Sequence, residues 1–142
     1  MSDVGYSGTP LLKKLGLKDG QAIAFVGLPE SLSDLATGVA NADIQTTTTW
    51  TGFEAPARFD VIHGFTTRRS DLEAGLPGMR TAIKPAGTIW VSWPKASAKV
   101  ATDITDNTVR DVALPLGLVD VKVCAVDAIW SGLKLVVRKE LR

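Results

Sequence analysis

One histidine, one cysteine and a few serine and aspartate spacings are all that this chain offers for covalent or acid–base chemistry. A single histidine excludes two-histidine metal sites, and the lone Cys124 excludes both an intramolecular disulfide and multi-cysteine metal centres. Ser92-Trp93-Pro94-Lys95 and Ser131-Gly132-Leu133-Lys134 match a Ser-x-x-Lys spacing, which serves a nucleophilic serine only where that serine opens a helix. The first reads as a strand end before proline and the second as a hairpin, so chance explains both. His63 has Asp60, Ser70 and Asp71 close by in sequence, from which a triad would have to be assembled across space and without a Gly-x-Ser-x-Gly elbow. A packed histidine on a strand is the plainer reading. Asp103, Asp106 and Asp127 offer a carboxylate-only cation site, but the first two serve equally well as capping residues ahead of a helix.

Phosphate-binding loops are missing. Gly27-Leu28-Pro29-Glu30-Ser31 follows the first strand, where an open α/β sheet places such a loop, yet it has neither the Gly-x-Gly-x-x-Gly nor the Gly-x-x-x-x-Gly-Lys pattern. Pro29 also removes one of the amides that would hold a phosphate. The candidate binding cluster therefore lies elsewhere, at Trp93, Lys95, Thr102, Asp103, Lys122, Asp127, Trp130 and Ser131, with Trp90 and Pro94 beside it. Ligands of open parallel sheets bind beyond the carboxyl ends of the strands, and the 93–102 segment occupies such an end. Core filling by tryptophan and an exposed Lys122–Asp127 pair worth under about 1 kcal/mol are the alternatives.

The elements that must position these residues can be read from period and punctuation. Thr9 and Pro10 suit the start of a short helix with Leu11, Leu12 and Leu15 on one face and Gly16 at its end. Residues 22–26 are apolar on both faces, as in a strand covered on both sides. A helix over 31–37 and a threonine-rich strand over 43–50 follow, the latter half-exposed at an edge. Residues 51–58 form a loop, and strand character resumes over 59–65. Ser70 is placed to cap a helix carrying Leu72, Leu76, Met79 and Ile83, which Pro77 should kink or divide. Residues 84–87 make a turn into a central strand over 88–93, and Thr105 caps a helix reaching Leu114, ended by Pro115 and Gly117. Runs over 119–129 and 134–139, joined at Trp130-Ser131-Gly132, predict an antiparallel hairpin. The expectation is an α/β class, three-layer Rossmann-like domain spanning 1–142, with a mostly parallel sheet of about six strands, helices on both faces and a C-terminal antiparallel hairpin.

Composition limits the function classes. The chain has 142 residues, 45% of them hydrophobic, and a formal charge of +1, which gives no global attraction to nucleic acid or anionic membranes. Uncharged stretches reach ten residues, short of the roughly 18 that a membrane helix needs, and the first residues lack the basic start and apolar run of a signal peptide. Soluble, reduced and cytoplasmic is the expected setting. Charge is uneven, since residues 19–57 hold five acidic residues and no basic one, whereas 122–142 hold five basic and two acidic. Trp50 and the threonine strand could also form the edge of a homodimer.

Two resemblances add to this. Phe59-Asp60-Val61-Ile62, then a helix, then Ile83-Lys84-Pro85-Ala86-Gly87-Thr88-Ile89-Trp90-Val91 resembles the second half of S-adenosylmethionine-dependent methyltransferases. In that family a Phe-Asp strand precedes a helix and a Lys-Pro-Gly-Gly turn, and the last strand inserts antiparallel. The resemblance implies a methyltransferase-like fold, with a diverged transferase as the alternative function. The first strand here lacks its acidic end and glycine-rich loop, and the second lacks the carboxylate that holds the ribose. Only 32 residues separate Val26 from Phe59, so one strand and one helix of the full fold are missing. Over nearly the whole chain, Gly5-Tyr6-Ser7-Gly8-Thr9-Pro10-Leu11, Trp93-Pro94-Lys95, Ala101-Thr102-Asp103, Leu116-Gly117-Leu118-Val119-Asp120, Lys122-Val123-Cys124-Ala125-Val126-Asp127 and Trp130-Ser131-Gly132-Leu133 resemble a family of small bacterial proteins known as a domain of unknown function. That likeness implies a bacterial source and a cytoplasmic domain. The function expected is a non-catalytic scaffold that binds a small molecule or protein, with no cofactor, metal, nucleic acid or membrane.

Overall fold

Six strands form one sheet in the order β2-β1-β3-β4-β6-β5 in the computed structural model, which describes residues 10–142. Strands β1 (Ala22–Val26), β2 (Asp43–Thr47), β3 (Phe59–Phe65) and β4 (Ile83–Pro94) run parallel. β6 (Trp130–Val137) then lies antiparallel between β4 and β5 (Leu118–Ala125). Helices cover both faces, as the expected Rossmann-like class requires. α3 (Arg69–Ala82) and α4 (Asp106–Ala113) pack with Leu72, Leu76, Met79 and Val109 against Ile62, Ile89, Leu133 and Leu135. On the other face α1 (Leu11–Lys14) and α2 (Asp34–Thr37) bring Leu11 and Leu35 onto Ile23, Phe25, Phe65 and Trp90. β1 is buried on both sides because every residue from Ile23 to Val26 is apolar.

Several boundaries differ from the sequence reading for local physical reasons. Thr9 lies outside the described residues, and Pro10 precedes α1 without a side-chain cap. The helix expected over 31–37 divides into a 3₁₀ turn over Glu30–Leu32 and α2. β2 stops at Thr47, and Trp50 turns into the core at 5% exposure instead of continuing the half-exposed strand. α3 begins at Arg69 with Ser70 inside its first turn, and it continues through Pro77 undivided because Leu72, Leu76, Met79 and Ala82 are buried on both sides of the proline. Residues 84–87 are no turn but a bulge within β4: two steps along β3, from Phe59 to Val61, match five along β4, from Ile83 to Thr88. Lys84 pairs there with Asp60 at 3.2 Å. Thr105 caps α4 as expected, its hydroxyl accepting from the Thr108 amide in a capping box, and α4 passes into a 3₁₀ turn over Leu114–Leu116 that ends at Gly117, φ 83°.

The hairpin turn is displaced from Trp130-Ser131-Gly132, which are strand residues, to residues 126–129. The cause is Asp127, whose carboxylate accepts the amides of Ile129 at 2.8 Å and Trp130 at 2.7 Å, while the Trp130 carbonyl accepts from Val126. An aspartate that folds the chain back on its own amides makes the turn, and the glycine is left for the strand.

Candidate functional site

The strand order reverses between β1 and β3, since the chain leaves β1 for β2 on one side and resumes at β3 on the other. The crevice beyond these two strands is where an open α/β sheet binds ligands. Here the chain itself fills the crevice on its α3 side. The Trp50 indole lies against Gly64, and its Nε1–H donates to the Phe65 carbonyl at 3.2 Å. Any Cβ on Gly64 would meet Trp50 Cη2 at 2.5 Å, and one on Gly75 would meet the Trp50 carbonyl at 2.5 Å. Neither glycine has the positive φ that would call for glycine on backbone grounds, so both are small to admit Trp50. Gly27 does have positive φ, 65°, and its amide is spent on the Thr47 carbonyl at 2.8 Å.

His63 is the one titratable side chain buried in the sheet centre. Its Nε2 lies 2.7 Å from Ser92 Oγ, its ring stacks on Phe65 with centroids 4.3 Å apart, and its Nδ1 has no partner among the described residues. Burial without a carboxylate lowers its pKa to about 3, so the ring is neutral at ordinary pH. The sequence suggested a triad with Ser70, Asp60 and Asp71, and the structure breaks it up. Ser70 sits in α3, Asp60 accepts from the Ala22 amide and pairs with Lys84, and Asp71 accepts from Thr66 Oγ1. The His63–Ser92 pair is sealed from solvent and has no room for a substrate. Nothing in the residue spacing announced it, since the two meet only through β3–β4 register.

Of the cluster expected at the carboxyl end of β4, Trp93 and Thr102 share one cleft. Trp93, Pro94, Ala96, Val100, Thr102 and Ile104 line an open cleft of about 460 Å³. Ser131 stands opposite Trp93, and the Lys95 amide donates to the Ile129 carbonyl at 2.8 Å, whereas Trp130, opposite Pro94, lies on the other face of the sheet with its ring edge-on to Phe65. Thr102 Oγ1 donates to the Thr67 carbonyl at 2.7 Å, and Asp103 accepts from the Arg69 amide at 2.7 Å, which pins the 95–105 loop to the start of α3. Lys122 is not part of this group. It lies opposite Lys134 on the face that carries Trp90, and no Lys122–Asp127 pair forms. Asp103, Asp106 and Asp127 each bond to backbone or arginine at separate places, and among the described residues no group of three ligating side chains could hold a metal ion.

The methyltransferase resemblance implies an adenosyl cofactor, and the residues do not fit one. Trp50 fills the α3 side of the switch point, Pro29 and the engaged Gly27 amide leave no row of free donors, and Thr48 to Thr51 after β2 carry no carboxylate to take a ribose. A second cleft of about 470 Å³ beside Gly27, Leu28 and Thr46 to Thr48 is lined by hydroxyls and apolar groups without a charge.

No protein-family model and no curated protein sequence matches the chain. Solved structures do. A SAM-dependent methyltransferase from Aquifex aeolicus aligns over 89% of this chain and 88% of its own, with TM-score 0.58 and 16% identity. The putative methyltransferase complexed with the Trm112 methyltransferase activator of Haloferax volcanii aligns over 90% and 87%, with TM-score 0.66 and 10% identity. Magnesium protoporphyrin IX methyltransferase from Synechocystis PCC 6803, with bound SAH, aligns over 89% and 78%, with TM-score 0.62 and 12% identity. At such identities the likeness speaks for architecture alone: the chain has the α/β fold of the SAM-dependent methyltransferases.

Proposed function

We propose that this chain is a non-catalytic Rossmann-like domain that binds a small molecule or a protein through the cleft between the end of β4 and the 95–105 loop, with the β5–β6 hairpin beside it. The observation that carries this reading is Trp50, which occupies the α3 side of the switch-point crevice, while the Trp93–Thr102 cleft stays open at the carboxyl end of β4. Lys95, Asp103, Asp127 and Ser131 are assigned to its surroundings, and Lys122 and Trp130, which lie on the opposite face, are dropped from the set. A setting in the bacterial cytoplasm accords with the family resemblance, and among the described residues no helix is long and apolar enough to cross a membrane. One relative in fold is seen with a protein activator, which supports a protein as partner.

The second reading, a diverged S-adenosylmethionine-dependent methyltransferase, is favoured by the length of the structural match. Isothermal titration separates the two. The scaffold reading expects no heat of binding with S-adenosylmethionine or its demethylated product, and micromolar affinity for either overturns it. Were turnover found, Lys95→Ala and Asp103→Ala would each have to lower it at unchanged thermal stability for the cleft to be its site.

A further inference from the structure

The two edges of the sheet are built differently. β5 carries a bulge at Val121 between the charged Asp120 and Lys122, devices that discourage another strand from pairing. β2 has none of them. Its pairing with β1 is regular from Asp43 to Thr47, it contains no lysine or proline, and its single charge, Asp43, is held by Arg58 at 2.5 Å. The Asp43 amide and the Thr47 carbonyl bond inward to Gln21 and Gly27, so alternation turns the N–H and C=O of Ile44 and Thr46 to the open edge.

Clefts flank this edge on both faces. On the α3 side about 400 Å³ is bordered by Gln45, Thr47, Thr51, Phe53 and Glu54. On the α2 side Leu28, Ala36, Thr46 and Thr48 border the cleft of about 470 Å³. A strand laid along β2 would send alternate side chains into the two. The first is polar and holds Glu54, which has no ion-pair partner among the described residues, and Arg58, whose charge is taken by Asp43; the second is uncharged, lined by hydroxyls and apolar groups. All five charges between residues 19 and 57 are acidic. We propose that β2 is a strand-addition site for an extended segment of another protein in which lysine or arginine alternates with valine-sized apolar residues.

The probe is a capped synthetic peptide of about nine residues alternating lysine and valine, titrated into the full chain while backbone amide resonances are followed. Saturable shifts confined to β2 and its two clefts are expected, with the glutamate–valine counterpart inactive. Glu54→Gln should weaken binding about fivefold, the worth of one exposed ion pair. Thr46→Pro, which removes an outward amide and spares the β1 ladder, should weaken it about tenfold. N-methylation of alternate peptide amides tests the same bonds with the protein untouched and should abolish binding. Equal binding of the anionic peptide, indifference to N-methylation, or shifts centred on residues 93–106 would each overturn the proposal. So would concentration-dependent broadening of β2 before any peptide is added, which would assign the edge to a second copy of this chain.

Discussion

The claim that Gly64 is glycine only to make room for Trp50 can be tested by a double-mutant cycle. A Cβ at position 64 would lie 2.5 Å from Trp50 Cη2 and 2.6 Å from Cζ2, well inside contact distance. Gly64→Ala alone should therefore destabilise by about 1–3 kcal/mol, the usual effect of overpacking. Trp50→Ala removes a side chain at 5% exposure and should remove about 3–5 kcal/mol. Independent effects would sum to roughly 4–8 kcal/mol, enough to unfold many domains of this size. The geometry predicts instead that the double variant is about as stable as Trp50→Ala, because the new methyl enters vacated space, for a coupling of about 1–3 kcal/mol. Urea midpoints from far-ultraviolet circular dichroism measure all four corners, and Trp50→Phe, which keeps most of the ring, is the milder corner if Trp50→Ala is too unstable. Gly75 provides the control. Its Cβ would strike the Trp50 backbone carbonyl at 2.5 Å, an atom that alanine at 50 retains, so Gly75→Ala must stay destabilising in either background. Additivity of the Gly64 and Trp50 effects within about 0.5 kcal/mol would refute the reasoning.

Two other predictions concern stability. His63 titrates near 6.5 when unfolded and near 3 when folded, so between those values the unfolded chain binds the extra proton. Stability from this group is complete above pH 6.5 and falls on acidification toward pH 3, by up to about 1.4 kcal/mol per pH unit. In His63→Gln the slope of unfolding free energy against pH in that window should flatten; an unchanged slope assigns the acid sensitivity to other groups. Thr105→Ala removes the capping box of α4 and should lower stability by about 1 kcal/mol, while Thr105→Ser should largely retain it, as thermal melts would show.

Much of the architecture was legible because it rests on local signals. β1 and β3 were placed to the residue, since both are apolar runs closed by glycine or a polar turn. The α4 cap was readable from Thr105 alone. Signals failed where a distant partner outweighed the local one. Pro77 should break α3, yet buried Leu72 and Leu76 before it and Met79 and Ala82 after it hold the helix in one piece. Trp130-Ser131-Gly132 contains the glycine a turn needs, but Asp127 accepts from the amides two and three residues after it and sets the turn before that glycine. At the site, the 93–102 segment was recognisable from strand-end position. Thr102, which lines the cleft, and Asp103 also tie the loop to the residues that open α3, a role the sequence does not announce because a hydroxyl or carboxylate in a loop looks the same whether it faces a ligand or the backbone. Trp50 was assigned to an exposed edge because its alternation with Thr46 and Thr48 continues the strand period. Gly64 and Gly75, which reveal its true position, are meaningful only once β3 and α3 are brought together.

The place of β6 in the sheet has a consequence for synthesis. β6 is the last strand to be translated, yet it pairs with β4 on one side and β5 on the other, and β5 has no other neighbour. A nascent chain that has emerged only as far as residue 129 therefore carries Trp90 on a bare edge and a β5 with nothing to join. Sheet closure must wait for the Trp130–Val137 segment to clear the ribosome, and in that interval the apolar flank of β4 is the surface a chaperone would meet.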